Sequence, residues 1–201
     1  MEFIKKSFPL STILLMYRIG SKAYGVESEE SDNDFAVVLD GYNGMDHVVD
    51  YETKSEYFIF SKDNWIKKME FHSSLANLFL IFPDEIITNN PLYIKEDFES
   101  IYVGYQTRAF ASVFKTYLEK VIDYFETYLD ENHQTKTMWH LYRIEEQVLR
   151  YISTNEWTLH LSPETIEKIQ VYKKNYRNQN QHSLSELQRI VEYLKEVKDH
   201  E

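Results

Sequence analysis

The 201-residue chain has no cysteine, and only five glycines and four prolines. Without thiols it forms neither disulfides nor thiolate zinc sites, and a cytoplasmic compartment is the expectation. So little glycine and proline argues against a long flexible linker. No stretch approaches the ~20 apolar residues of a membrane span, so no membrane partner is expected. The apolar run Phe8 to Tyr17 follows Lys5 and Lys6, but Pro9, Ser11 and Thr12 interrupt it, and it does not read as a signal peptide. The histidines show no metal-ligand spacing, so zinc is not indicated. Positive charge is short as well: 22 Lys+Arg stand against 33 Asp+Glu, a net charge of −11. Residues 1–100 carry 9 basic and 18 acidic groups, and residues 101–201 carry 13 and 15. Bulk attraction to nucleic acid is therefore not expected, and an anionic ligand needs a local basic patch or metal ions.

What is present is globular. Hydrophobic residues make up 43% of the chain and aromatic ones 15%, enough for a full core in one domain or two small ones. Alternating and continuous apolar runs predict strands over 12–19, 34–39 and 56–60, with a short extra strand over 47–51. Ser61 caps a helix through about Phe71, and a second helix, Ser74 to Phe82, stops at Pro83. Beyond residue 100 the period is helical. Phe110, Val113, Phe114, Tyr117, Leu118, Val121 and Phe125 recur at three and four, and the pattern resumes over 135–152. Ser162-Pro163-Glu164 reads as a helix start, and Ser183 with Glu186 as a capping box. The expected fold class is α+β, with a small mixed sheet and flanking helices in residues 1–100 and a helical bundle in residues 101–201.

One stretch carries chemistry. Gly20-Ser21-Lys22-Ala23-Tyr24-Gly25 is a small-residue turn, and Ser31-Asp32-Asn33-Asp34-Phe35 follows it. Side chains in a strand alternate faces, so an extended segment points Asp32 and Asp34 the same way. A Gly-Ser turn offers backbone N–H groups to a phosphate. Phosphate cradle plus carboxylates is equipment for phosphoryl or nucleotidyl transfer through Mg²⁺ or Mn²⁺, which prefer oxygen ligands. A third carboxylate is expected on a neighbouring strand; Glu56 is the first choice, with Asp50 and Glu52 as competitors. In the second half, Lys136, His140, Arg143, Gln147 and Arg150 fall on one stripe at steps of four and three, beside an apolar stripe of Leu141, Ile144, Val148, Tyr151 and Ile152.

Gly-Ser, then Asp-x-Asp, then an acid on a later strand, resembles the DNA polymerase β nucleotidyltransferase superfamily. The string GSKAYG with SDND is similar to one branch of it, the predicted nucleotidyltransferases found beside phage-type RNA ligases (RlaP-like). Lys22 stands where that branch typically has Arg, and residues 73–82 lack an acid that related sequences often carry. The resemblance also covers Lys136, His140 and Arg143, which match a Lys, a His four residues on and an Arg three beyond. It implies an enzyme that takes an NTP, with Asp32, Asp34 and Glu56 as catalytic and metal-binding acids. Gly20, Ser21, Lys22, Tyr24, Lys136, His140 and Arg143 would hold the nucleotide. The acceptor is an RNA end, a protein or a small molecule. The competing expectation is a catalytically inactive protein of the same fold that binds and regulates a protein partner, as a toxin's antitoxin or a phage factor does; acidity of the first half suits a basic partner.

Overall fold

The computed structural model describes residues 1–29, 31–69, 91–106, 111–130, 136–155, 158, 160–176 and 181–200. The predicted helix over 74–82 lies outside them. In the first part of the chain, apolar runs become strands where they are covered on both faces. Strand β1 (Thr12–Ile19) buries five consecutive residues and β2 (Asn33–Asp40) another five. Unbroken burial of this kind marks strands with no solvent face. Strands β3 (Met45–Asp50), β4 (Ser55–Ser61) and β5 (Tyr93–Ile94) complete a mixed sheet in the order β3-β4-β2-β1-β5. β2 and β4 run parallel, and the other pairs are antiparallel. A register shift between Ile13 and Leu15 puts a bulge in β1.

Helices cover both faces. Helix α1 (Glu2–Ser7) buries Ile4 against Phe35, Val37 and Ile59, and Phe3 stacks on Tyr57 at 5.5 Å. On the other face, α2 (Lys62–Met69) and α3 (Glu96–Gln106) bring Trp65, Phe98 and Tyr102 onto Leu15, Tyr17, Ala36 and Val38. The buried Trp65 indole N–H donates to the Tyr17 hydroxyl at 3.3 Å, which satisfies a donor that would otherwise be costly to bury. The predicted cap is present: the Asn64 N–H donates to Ser61 Oγ at 3.2 Å.

A second compact unit, Ala109–Glu201, follows the first, Met1–Arg108. The composition places a division near residue 100, but that residue lies inside α3, whose Phe98 and Tyr102 belong to the first unit's core. Helix α4 (Ala111–Asp130) buries Phe114, Tyr117, Leu118, Val121 and Phe125 of the expected stripe; Phe110 and the side chain of Val113 lie outside the described residues. Helix α5 (His140–Thr154) stops at Asn155, a left-handed residue whose N–H donates to the Tyr151 carbonyl. Helix α6 (Pro163–Asn175) starts at Ser162 as predicted. Helix α7 (Gln181–His200) begins before the capping box drawn from sequence, so Ser183 lies within it and Glu186 pairs with Arg189 at 3.1 Å. Helix α7 packs on α4 and α5, and α5 on α6. The fold class is α+β, with a helical C-terminal region. No described helix is long and apolar enough to cross a membrane.

Candidate functional site

Strand β1 ends at Ile19, and the chain turns on Gly20, at φ +72° and ψ −162°. That backbone conformation is almost closed to any residue with a β-carbon. A 3₁₀ turn, Ser21–Ala23, follows. The Ala23 N–H donates to the Gly20 carbonyl, and the Tyr24 and Val26 N–H groups both donate to the Ser21 carbonyl, at 3.0 to 3.3 Å. The first N–H groups of such a turn, those of Ser21 and Lys22, have no acceptor within it.

Gly20 is also the point of contact with β2. A β-carbon there would come within 2.8 Å of Asp34 Cγ and run into the carboxylate. The cross-strand pairing explains the contact, because Ile19 lies opposite Asp34. On its other side Asp34 pairs with Glu56 of β4 in parallel register. Neighbouring strands stand about 4.8 Å apart, and paired residues project from one face. The sheet thus brings together the turn, Asp34 and Glu56.

The competing acids Asp50 and Glu52 stand apart from this face. Asp50 pairs with Ser55, one step out of phase with Glu56, and so projects from the opposite face. Its carboxylate accepts from the Glu52 N–H at 3.1 Å and from Thr53 Oγ1 at 2.8 Å, fastening the β3–β4 turn. Glu52 is exposed in that turn. β2 starts at Asn33, so Asp34 lies within the strand and Asp32 just before it, exposed. Among the described residues no group of three or more His, Asp or Glu forms a metal-ligand cluster. The paired donors, Asp34 and Glu56, still suit Mg²⁺, which uses one or two carboxylates and completes its shell with water and phosphate oxygens.

Lys22 donates through Nζ to Asn33 Oδ1 at 2.9 Å, tying the turn to the first residue of β2. Asn33 is held in turn by its N–H on the Lys54 carbonyl at 3.0 Å. Tyr24, expected at the nucleotide, is buried and belongs to the core. Sequence reasoning missed His47. Its Nε2–H donates to Glu56 Oε2 at 2.9 Å, and its ring stacks on Phe58 at 4.5 Å and 23°. The alternation of His47 with Val49 was readable, but the pairing of Val49 with Glu56 was not.

The basic stripe of the second unit differs from its expected form. Lys136 lies in a 3₁₀ turn, Lys136–Trp139, so the four-residue step to His140 does not follow α-helical pitch. His140 and Arg143 are buried, as is Gln147. Arg143 Nη1 donates to Gln147 Oε1 at 2.8 Å, and Gln147 Nε2 donates to the Thr158 carbonyl at 2.8 Å. His140 stacks on Trp139 at 3.7 Å, and Lys173 Nζ lies 5.2 Å from the Trp139 ring centre. Burial above all, then the charges of Arg143 and Lys173, hold the His140 imidazole well below its ordinary range, so it is neutral at pH 7. Arg150 pairs with Glu146 at 2.6 Å. Ile152, expected in the apolar stripe, is half exposed.

No protein-family model matches the sequence, and no curated protein matches it.

Proposed function

We propose that the chain is a nucleotidyltransferase of the DNA polymerase β type, moving a nucleoside monophosphate from an NTP to a hydroxyl acceptor. The observation that supports this is the seat of Gly20 against the Asp34 carboxylate, with Glu56 directly across from Asp34. A turn whose first N–H groups have no acceptor within it, beside two acids, suits a triphosphate and its counter-ion. Mg²⁺ or Mn²⁺, when bound, supplies positive charge to the triphosphate and makes the acceptor hydroxyl more acidic. Asp34 and Glu56 are the residues that would hold it, with Asp32 at their margin.

The chain's own groups divide the remaining work. The N–H groups of Ser21 and Lys22 and the Ser21 hydroxyl donate to phosphate oxygens. Lys22 has donors beyond the one spent on Asn33, and its ammonium offsets phosphate charge. Glu56 accepts the acceptor's proton. The freed oxygen bonds the α-phosphorus as the α–β bridge breaks, and pyrophosphate departs with that electron pair. The acceptor class is an RNA end, a protein hydroxyl or a small molecule.

Calorimetry with ATP and GTP, with and without Mg²⁺, tests the reading. Metal-dependent micromolar binding is expected, and mass spectrometry then identifies the nucleotidylated product. Asp34→Ala is expected to abolish turnover with the far-UV circular dichroism unchanged; turnover at the wild-type level in that variant removes the mechanism. Failure to bind any nucleotide, with a tight protein partner recovered by pull-down, identifies a binding protein of the same fold instead.

A further inference from the structure

The turn after β1 holds the start of β2 from both sides. Asn33 and Asp34 are the strand's first two residues, and consecutive strand residues project from opposite faces. Asp34 shares its face with Ala36 and Val38, which pack in one core cluster; Asn33 shares the other with Phe35 and Val37, which pack in the second. On the first face the Asp34 carboxylate fills the space where Gly20 lacks a β-carbon. On the second the Lys22 ammonium donates to Asn33 Oδ1 at 2.9 Å. Asn33 is fixed in turn. An ammonium only donates, so the amide must present its oxygen to Lys22. Its Nδ2 then faces the Thr53 carbonyl at 3.5 Å, and its backbone N–H donates to the Lys54 carbonyl at 3.0 Å. Thr53 lies in the β3–β4 turn that Asp50 fastens.

We propose that Asn33 is a positioning residue for the phosphate cradle: through Lys22 it holds the Ser21 and Lys22 N–H groups at a fixed place beside Asp34, ready for the triphosphate of an NTP. This rests on the nucleotidyltransferase reading of the same turn. The contact at Gly20 fixes only the first residue of the turn, and on one face. The Lys22–Asn33 bond fixes the far side, on the other face, so the turn cannot swing away from β2. A turn left loose must be ordered when the anion binds, and that ordering lowers affinity. Asn33 thus acts on the ligand without touching it.

Two measurements on the full chain test this: ¹⁵N relaxation of the Ser21 and Lys22 amides, and calorimetry with Mg²⁺-ATP. Asn33→Ala is expected to drop the order parameters of both amides from about 0.85 to below about 0.6. It is expected to weaken Mg²⁺-ATP binding about tenfold, the scale of ordering one residue's backbone on binding. Lys22→Met breaks the same bond from its other end and is expected to loosen the same amides, so the test stands if Asn33→Ala fails to fold. In the Lys22→Met background, Asn33→Ala is expected to change affinity by less than about twofold, because the two residues act as one unit. Asn33→Asp has the same shape and keeps an acceptor for Lys22, so it is expected to restore the order of both amides. Equal losses of affinity from Asn33→Ala in both backgrounds assign Asn33 to the fold alone and overturn the proposal. Wild-type order or affinity in Asn33→Ala, or disorder in Asn33→Asp, overturns it as well. A wild type that is rigid at both amides yet binds neither Mg²⁺-ATP nor tripolyphosphate brings down the reading of the site, and this role with it.

Discussion

At the scale of single residues, Gly20 answers two demands with one missing atom. Its backbone sits where a β-carbon is strained, and the space for that carbon is filled by the Asp34 carboxylate. Gly20→Ala is expected to lower the unfolding free energy by about 2 kcal/mol, within the usual range for such strain, and to remove nucleotide binding by displacing Asp34. Urea denaturation and calorimetry check both; wild-type nucleotide affinity in Gly20→Ala contradicts the packing argument. His140 makes a different prediction. Its folded pKa is depressed, chiefly by burial, and the unfolded value is about 6.5. Between those values the unfolded chain holds a proton that the folded chain lacks, so stability falls as pH drops below about 6.5. The slope approaches about 1.4 kcal/mol per pH unit for one such group. Unfolding measured at about pH 7.5 and about pH 5.5 is expected to show this loss, and His140→Leu to flatten it.

At the scale of elements, local signals announced what local forces decide. β1, β2 and β4 were legible as apolar runs, and Ser61 and Ser162 as caps, because both side chains bond to N–H groups three residues on. Ser162 does more than cap: its N–H and hydroxyl both donate to Glu146 of α5. Ser162→Ala is expected to cost about 1–2 kcal/mol in chemical denaturation, the upper part of the range for a lost cap. Elements set by distant partners were not legible. β5 is two residues long and exists through Leu15 and Met16, too short for any periodicity. Helix α1 has no side-chain cap and buries only Ile4. Helix α3 does carry a readable signal, Phe98, Ile101 and Tyr102 at steps of three and one. At the candidate site the turn and its acids were legible as residues. Their contact was not, because it depends on which strands pair, and neither was the part taken by His47.

At the scale of the whole molecule, the acidic charge is concentrated in residues 1–100, with 18 Asp+Glu against 9 Lys+Arg. Such a field repels a free nucleotide, and salt screens the repulsion. Affinity for Mg²⁺-ATP, which is still anionic, is therefore expected to rise, not fall, as NaCl increases from about 20 to about 200 mM. A fall, measured by calorimetry, identifies a basic docking surface and contradicts the expectation.

The order of the strands has a consequence for synthesis. β4 is made after β2 and β3, yet it is inserted between them. Its pairing with β2, which is not its neighbour in sequence, is what sets Glu56 beside Asp34. A chain in which β4 has not yet paired therefore has Glu56 on a segment that is not held beside Asp34. The proposed site is therefore incomplete until the last strand of the trio is home.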